Sequence, residues 1–151
     1  TIANGGKMMK PYLVSSVREY GKEVIKIEPT VLEEQVASKE AIAQLRKCTE
    51  EVVLTGTGRH IQSPHYTIAG KTGTAQVLQN GRYLTNQHIG SFVGFAPAKE
   101  PRIIVAVTID SPKVGSYYGA QTASPVFANI VDESLKSLKV KPDKIAVAKV
   151  K

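Results

Sequence analysis

Residues 70–81 narrow the possible folds more than any other part of the chain. They begin with Gly70-Lys71-Thr72-Gly73-Thr74-Ala75 and end with Asn80-Gly81. Asn-Gly favours the two-residue type I′ turn of a β-hairpin, so the segment is predicted to be a strand that enters a hairpin. Alternate side chains of a strand face the same way, which would put Lys71 and Gly73 on one face and Thr72 and Thr74 on the other.

A phosphate-binding P-loop is an alternative for the same residues. Its pattern, G-x-x-x-x-G-K-[ST], would end at Gly70-Lys71-Thr72 but requires glycine at position 65, where this chain has His65. It also requires a helix that begins at the lysine, whereas the turn signal indicates a strand. A plain edge strand with a solvated lysine is the other alternative, because K-T-G tripeptides are frequent by chance.

Composition and charge describe a globular chain with a basic end. The 151 residues are 42% hydrophobic and 22% charged, which fits one domain with a real core. The formal net charge of +7 would suit a polyanion, and a non-catalytic polyanion-binding module is one possible function. Part of the excess charge lies near the end of the chain. Residues 140–151 are therefore predicted to be a basic, flexible tail.

Cysteine and histidine do not indicate a metal or redox site. Cys48 is the only cysteine, and its place in the helical pattern predicts a small core residue. His60, His65 and His88 lack the spacing of metal ligands and are predicted to have surface or loop roles, with His88 a candidate to overhang the site. We expect no metal and no cofactor.

Hydrophobic periodicity predicts two helices and three main strands. One helix is predicted from Lys39 to Leu54 with Ser38 as its N-cap, and another from Pro125 to Leu138 with Ser124 as its N-cap. A peripheral hairpin is predicted at residues 12–28. The three strands are predicted at residues 66–78, 89–96 and 102–110.

The turns between these three strands are short, so neighbouring strands should be antiparallel. Ile103 to Ile109 is almost continuously apolar, which predicts a central strand covered on both faces. The pattern is typical of an α/β (α+β) fold in which helices flank an antiparallel sheet.

The order of these motifs resembles a known family. The phrase Ala69-Gly70-Lys71-Thr72-Gly73-Thr74-Ala75-Gln76 is followed by Ser91-Phe92-Val93-Gly94-Phe95-Ala96-Pro97, Ile109-Asp110-Ser111-Pro112, Tyr118-Gly119 and Ser124-Pro125-Val126-Phe127. Residues 2–143 resemble the C-terminal half of the transpeptidase domain of class B penicillin-binding proteins, the cell-division peptidoglycan synthases above all. The resemblance implies the serine β-lactamase/penicillin-binding transpeptidase fold.

The resemblance also implies a reaction and roles for individual residues. A serine would attack the D-Ala-D-Ala amide of a peptidoglycan stem peptide, and β-lactams would imitate that donor. Lys71, Thr72 and Thr74 would bind the substrate's terminal carboxylate, with Gly73 between them. The Thr74 N–H would form half of the oxyanion hole. Tyr117 and Tyr118 would line a side-chain pocket, although partly buried aromatic residues are also ordinary core features.

The family's S-x-x-K and S-x-N motifs do not occur in this chain. Thr1 to Gly6 looks like the end of a helix with its glycine stop. We therefore expect residues 1–139 to be an incomplete transpeptidase domain that pairs with an upstream half and is inactive alone. A β-lactam sensor would share these features and remains an alternative.

The family further implies a membrane-anchored protein at the periplasmic face of the bacterial inner membrane. This segment itself would be soluble, because its longest apolar run near the strands is far too short to cross a bilayer. The implied partners are the stem peptide, β-lactam inhibitors, the upstream half of the domain and the cell-division machinery. We expect no nucleic acid.

Overall fold

The computed structural model describes residues 1–144, which belong to two compact units, Thr1–Leu45 and the chain from Arg46 onward. In chain order the elements are β1 (Met8–Met9), β2 (Ser16–Glu19), β3 (Lys22–Lys26), β4 (Val31–Glu33), α1 (Lys39–Leu54), β5 (Ala69–Gln79), β6 (Arg82–Ala96), β7 (Ile103–Asp110) and α2 (Ala123–Ser137). Short 3₁₀ turns precede β1 and follow α1. The mixed α/β class with antiparallel sheets is confirmed. No helix within residues 1–144 is long and apolar enough to cross a lipid bilayer.

The first unit contains two small antiparallel pairs. Strand β1 pairs with β4, and β2 pairs with β3 in the predicted hairpin. The hairpin strands are shorter than predicted at the ends away from the turn, which is formed by Tyr20 and Gly21, both with positive φ. All residues of β3 are exposed, so the hairpin has no buried face to extend it.

Helix α1 has the predicted bounds and the predicted N-cap. The Ala41 N–H donates to the Ser38 Oγ over 3.1 Å. The prediction for Cys48 is wrong, because this residue is exposed. The buried residues Ile42 and Val53 lie about 20° apart around a helix of 3.6 residues per turn, while Cys48 lies about 120° away from them.

Strands β5, β6 and β7 form one antiparallel sheet in that order. Asn80 and Gly81 both have positive φ, so the predicted hairpin turn is confirmed. The prediction that the third strand is central is wrong: β6 is central and β7 is at an edge. In β7, Val107 is buried while Ile104 is 62% exposed. Within residues 46–144, α2 covers only the Val107 face of β7, so the apolar run of β7 does not indicate two covered faces.

The core lies between the sheet and α2. Phe92 of β6 and Phe127 of α2 are both fully buried, with ring centroids 4.6 Å apart. Val131 and Leu135 continue the same face of the helix. The prediction of Ser124 as the N-cap is wrong, because α2 begins at Ala123 and Thr122 is at the N-cap position. The Ser124 hydroxyl donates instead to the Ala120 carbonyl, four residues earlier.

Residues 140–144 do not fit the prediction of a flexible tail from residue 140. The Tyr66 hydroxyl donates to the Val140 carbonyl over 2.9 Å, and the Lys144 ammonium donates to the Ser63 carbonyl over 2.8 Å. The Asp143 carboxylate accepts hydrogen bonds from both the N–H and the hydroxyl of Thr67. Residues 145–151 of the predicted tail lie outside the described residues.

Asp143→Ala is expected to lower the free energy of unfolding by about 1–3 kcal/mol, because the partly buried Thr67 would lose both acceptors at once. Chemical denaturation of the protein measures this change. Asp143→Asn keeps one acceptor oxygen and should cost less than alanine. Equal stability of the alanine variant and the wild type would show that residues 140–144 do not contribute to the fold.

Candidate functional site

The segment Lys71 to Thr74 lies on an edge strand. Lys71 is opposite Val93, and Gly73 is opposite Ser91, in the pairing of β5 with β6. Among residues 1–144, no strand pairs with the other edge of β5. In an antiparallel pair, successive residues direct their backbone groups alternately toward the partner and away from it. Every second N–H of this segment is therefore available to a ligand at the free edge.

An ammonium group and two hydroxyl groups meet at this edge. The Lys71 Nζ donates to the Thr72 carbonyl over 3.1 Å and lies 3.4 Å from the Thr72 hydroxyl. The Thr57 hydroxyl lies 3.4 Å from the Thr72 hydroxyl. Lys71 is exposed, and no carboxylate in residues 1–144 forms an ion pair with it. The three groups could bind an anion, since charge-assisted hydrogen bonds are stronger than neutral ones.

Thr57 is a member of this cluster that the sequence did not reveal. From the sequence alone, Gly56-Thr57-Gly58 indicates only the end of α1. The only signal was a hydroxyl between two glycines, which permit a close approach of other groups. The contact of Thr57 with Thr72 spans 15 residues and depends on how the turn after α1 lies against β5.

The loop before α2 lies directly on the sheet beside Thr74. The Gly119 N–H is 3.4 Å from the Thr74 Oγ, which accepts the hydrogen bond. A Cβ atom at Gly119 would overlap the carbonyl oxygens of Ser91 and Gly73. Only glycine permits this approach of loop to sheet, so Gly119 is a second site residue that sequence reasoning did not identify.

Three aromatic rings stack at the end of this site. The His88 and Tyr117 rings are 4.0 Å apart at centroids with 17° between their planes, and Tyr118 is 4.5 Å from Tyr117. The Tyr117 hydroxyl donates to the Tyr118 hydroxyl over 3.2 Å. This hydrogen bond, with the charge of an ionised Tyr118, raises the pKa of Tyr117 above its usual value. The structure thus brings the predicted Tyr117 and Tyr118 into one cluster with His88.

A short hydrogen-bond chain anchors the loop from the side of α2. The His60 Nε2 lies 2.9 Å from the Ser124 Oγ, and the Ser124 hydroxyl donates to the Ala120 carbonyl over 2.6 Å. Because the single hydroxyl proton goes to Ala120, His60 is the donor to Ser124. Ala120 follows Gly119 directly, so His60 helps to hold the residue that contacts Thr74. Within residues 1–144, no three His, Cys, Asp or Glu side chains are grouped to hold a metal ion.

The chain is similar to several known proteins. Stage V sporulation protein D of Bacillus subtilis is 41% identical over 147 residues, which are 97% of this chain and 23% of that protein. The D,D-transpeptidase domain of a peptidoglycan glycosyltransferase from Eggerthella lenta superposes with a TM-score of 0.73 at 36% identity, over 91% of this chain and 30% of that one. The ceftriaxone acyl-enzyme complex of penicillin-binding protein A from Mycobacterium tuberculosis gives a TM-score of 0.77 at 26% identity, over 89% and 30% of the two chains.

This chain therefore spans less than a third of each of these three relatives. Residues 1–132 match the family described as penicillin binding protein transpeptidase domain, which is most of the chain. The order of the sequence motifs, the antiparallel sheet covered by α2 and the similar proteins all indicate the same family. The chain belongs to the penicillin-binding protein transpeptidase domain family.

Proposed function

We propose that the full-length protein is a peptidoglycan D,D-transpeptidase and that this chain forms one wall of its active site. The observation that carries the proposal is the cluster of Lys71, Thr72 and Thr57 on the free edge of β5. This cluster offers a positive charge and hydroxyl donors to an anion beside unpaired backbone N–H groups. A peptide that ends in D-Ala-D-Ala presents a carboxylate and, one residue before it, the scissile amide.

Lys71 and Thr72 bind the terminal carboxylate in this proposal. The Lys71 ammonium has no competing carboxylate in the described chain, and its hydrogen bond to the Thr72 carbonyl directs it along the strand. The Thr74 hydroxyl already accepts a hydrogen bond from Gly119, which leaves its own proton available for a substrate oxygen. Gly73 has no side chain, so it leaves space for the substrate between Thr72 and Thr74.

The backbone N–H of Thr74 is proposed as one oxyanion-hole donor. Gly119 lies beside the Gly73 carbonyl and the N–H and carbonyl of Ser91, which is opposite Gly73 in the register. This closeness supports an arrangement in which the N–H and carbonyl of Gly73 face β6. Adjacent residues of a strand direct their backbone groups to opposite edges, so the Thr74 N–H would face the free edge. Such a donor stabilises the negative charge that develops on the carbonyl oxygen in the transition state.

Tyr117 and Tyr118 are proposed to line the pocket for the substrate side chain. Both are more than a third exposed, and their stack with His88 forms an apolar surface near Thr74. Thr74 and Lys71 are three residues apart, which is about 10 Å along a strand. The carboxylate end and the aromatic end of the site are thus separated by about the length of three extended residues.

The nucleophile and its base come from elsewhere in the full-length protein, since this chain contains neither S-x-x-K nor S-x-N. The serine oxygen forms a bond to the penultimate D-Ala carbonyl, and the amide bond to the terminal D-Ala breaks. The leaving amine takes up a proton. An amine of a neighbouring stem peptide then displaces the serine and completes the cross-link. β-Lactams acylate the same serine, and we place the reaction at the periplasmic face of the bacterial inner membrane.

The full-length protein is expected to become covalently labelled by a fluorescent penicillin, whereas the 151-residue chain alone should remain unlabelled because it lacks the S-x-x-K serine. Gel fluorescence and mass spectrometry of the labelled peptide measure both results. An adduct on a residue of this chain, or a full-length protein that does not react, would contradict the proposal.

A further inference from the structure

A cavity of about 520 Å³ lies where the turn between β6 and β7 meets the segment after α2. Its charged lining residues are Lys99, Arg102, Lys139, Lys141, Glu100 and Asp143. None of them belongs to the cluster around Lys71. The volume is within the range of small-molecule sites in proteins.

The lining of this cavity is positively charged. Four cationic and two anionic side chains leave a formal charge of +2. None of the four cationic side chains forms an ion pair or a side-chain hydrogen bond with residues 1–144. The Asp143 carboxylate is already engaged by two donors from Thr67.

Both walls of the cavity are held in place by hydrogen bonds. The Arg46 guanidinium donates to the Ala98 and Lys99 carbonyls, each over 2.7 Å, and fixes the turn before β7. On the other wall, the Tyr66 hydroxyl donates to the Val140 carbonyl. A site whose walls are ordered before binding loses less entropy when a ligand arrives.

Lys139 has a backbone conformation that usually selects glycine. Its φ is +55° at the end of α2, in the left-handed region where helices commonly place glycine. The residue at this position is nevertheless a lysine that lines the cavity. A lysine at this position costs backbone free energy that a glycine would not. This cost supports a functional role for the Lys139 charge at the cavity wall.

We propose that this cavity binds a phosphate group. Arg102 supplies the planar fork that matches two phosphate oxygens, and the three lysines supply mobile positive charges around it. A compact, multiply charged phosphate suits four cationic groups better than a single carboxylate does. The phosphate could belong to a soluble or polymeric phosphate compound or to a lipid headgroup.

Isothermal titration of the full-length protein with inorganic pyrophosphate at low salt tests the proposal. All variants carry Lys71→Ala, so that the cluster at β5 does not contribute an anion site. We expect one saturable site, and at least fivefold weaker binding for Arg102→Gln and for Lys139→Gly. Lys139→Gly relieves the left-handed backbone, so its thermal stability should equal or exceed that of the parent.

Lys113→Gln is the matched control, since Lys113 is exposed, basic and outside the cavity. It should change the affinity less than twofold. The proposal is overturned if pyrophosphate does not saturate a single site, or if Lys113→Gln weakens binding as much as the two cavity variants. The second outcome would show only non-specific attraction to a basic surface.

Vesicles of phosphatidylglycerol and of phosphatidylcholine separate the two sources of phosphate. Co-sedimentation with the phosphatidylglycerol vesicles that pyrophosphate reverses, and that Arg102→Gln abolishes, supports a lipid headgroup as the ligand. Saturable pyrophosphate binding without co-sedimentation supports a soluble or polymeric phosphate instead.

Discussion

Lys71→Ala in the full-length protein is expected to slow acylation by a carboxylate-bearing penicillin by about 10- to 100-fold, because a hydrogen bond to a charged group contributes about 1.5–3 kcal/mol. The free energy of unfolding should change by less than about 0.5 kcal/mol, since Lys71 is exposed and its loss leaves no cavity. Stopped-flow acylation and chemical denaturation of the same samples measure the two effects.

Lys113→Ala is the control for Lys71→Ala, because it removes an exposed lysine from outside the cluster. It should leave both the acylation rate and the stability unchanged. If Lys71→Ala also leaves the acylation rate unchanged, the β5 edge is part of the scaffold and does not bind the carboxylate. If both variants slow acylation equally, the effect is one of overall charge.

Gly119→Ala is expected to slow acylation strongly and to lower the free energy of unfolding by about 1–3 kcal/mol, the usual cost of overpacking. The added methyl group would overlap the carbonyl oxygens of Gly73 and Ser91, which are backbone atoms of the sheet and cannot rotate away. The loop must therefore rise from β5, and the Thr74 hydroxyl loses the hydrogen bond from the Gly119 N–H. Acylation kinetics and denaturation measure both changes.

Gly115→Ala in the same loop is the control. It shows whether the effect of Gly119→Ala comes from steric overlap with the sheet or from any glycine-to-alanine change in this loop. Gly115 has a φ of +75° with no atom within 4 Å of an added Cβ, so the change brings backbone strain without overlap. It should leave acylation nearly unchanged. Equal acylation rates of the Gly115 and Gly119 variants would mean that contact of the loop with Thr74 does not affect the site.

The elements that local sequence controls were predictable. Ser38 gives the first turn of α1 an acceptor, and Asn80-Gly81 adopts the two positive φ angles of its turn. The order of strands in the sheet was not, because an apolar run such as that of β7 does not specify how many faces are covered. Cys48 was misplaced for a related reason, since the buried face of α1 depends on what packs against it.

The sequence predicted the site residues that belong to the K-T-G motif. It did not predict the residues from other segments that contact this motif. Lys71, Thr72 and Thr74 are adjacent in sequence, and their place on a strand follows from the hairpin signal; their roles remain proposals. Thr57 and Gly119 reach the strand from 15 and 45 residues away. No local pattern encodes such contacts, which arise only when the turn after α1 and the loop before α2 lie against the sheet.

The unequal lengths of the strands imply unequal local stability along β6. Residues 89–96 pair with strands on both sides, whereas Arg82 and Tyr83 pair only with β5, across a shift in register. A two-stranded ribbon is only marginally stable alone. Its amide groups should therefore open and exchange with solvent much more readily than those of Phe92 and Val93. His88 lies at the boundary, because it pairs with Gln76 and its carbonyl accepts a hydrogen bond from the Ser111 N–H over 2.9 Å. The ring that stacks on Tyr117 therefore borders the faster-exchanging ribbon, while the backbone beside Lys71 belongs to the slowly exchanging part of the molecule.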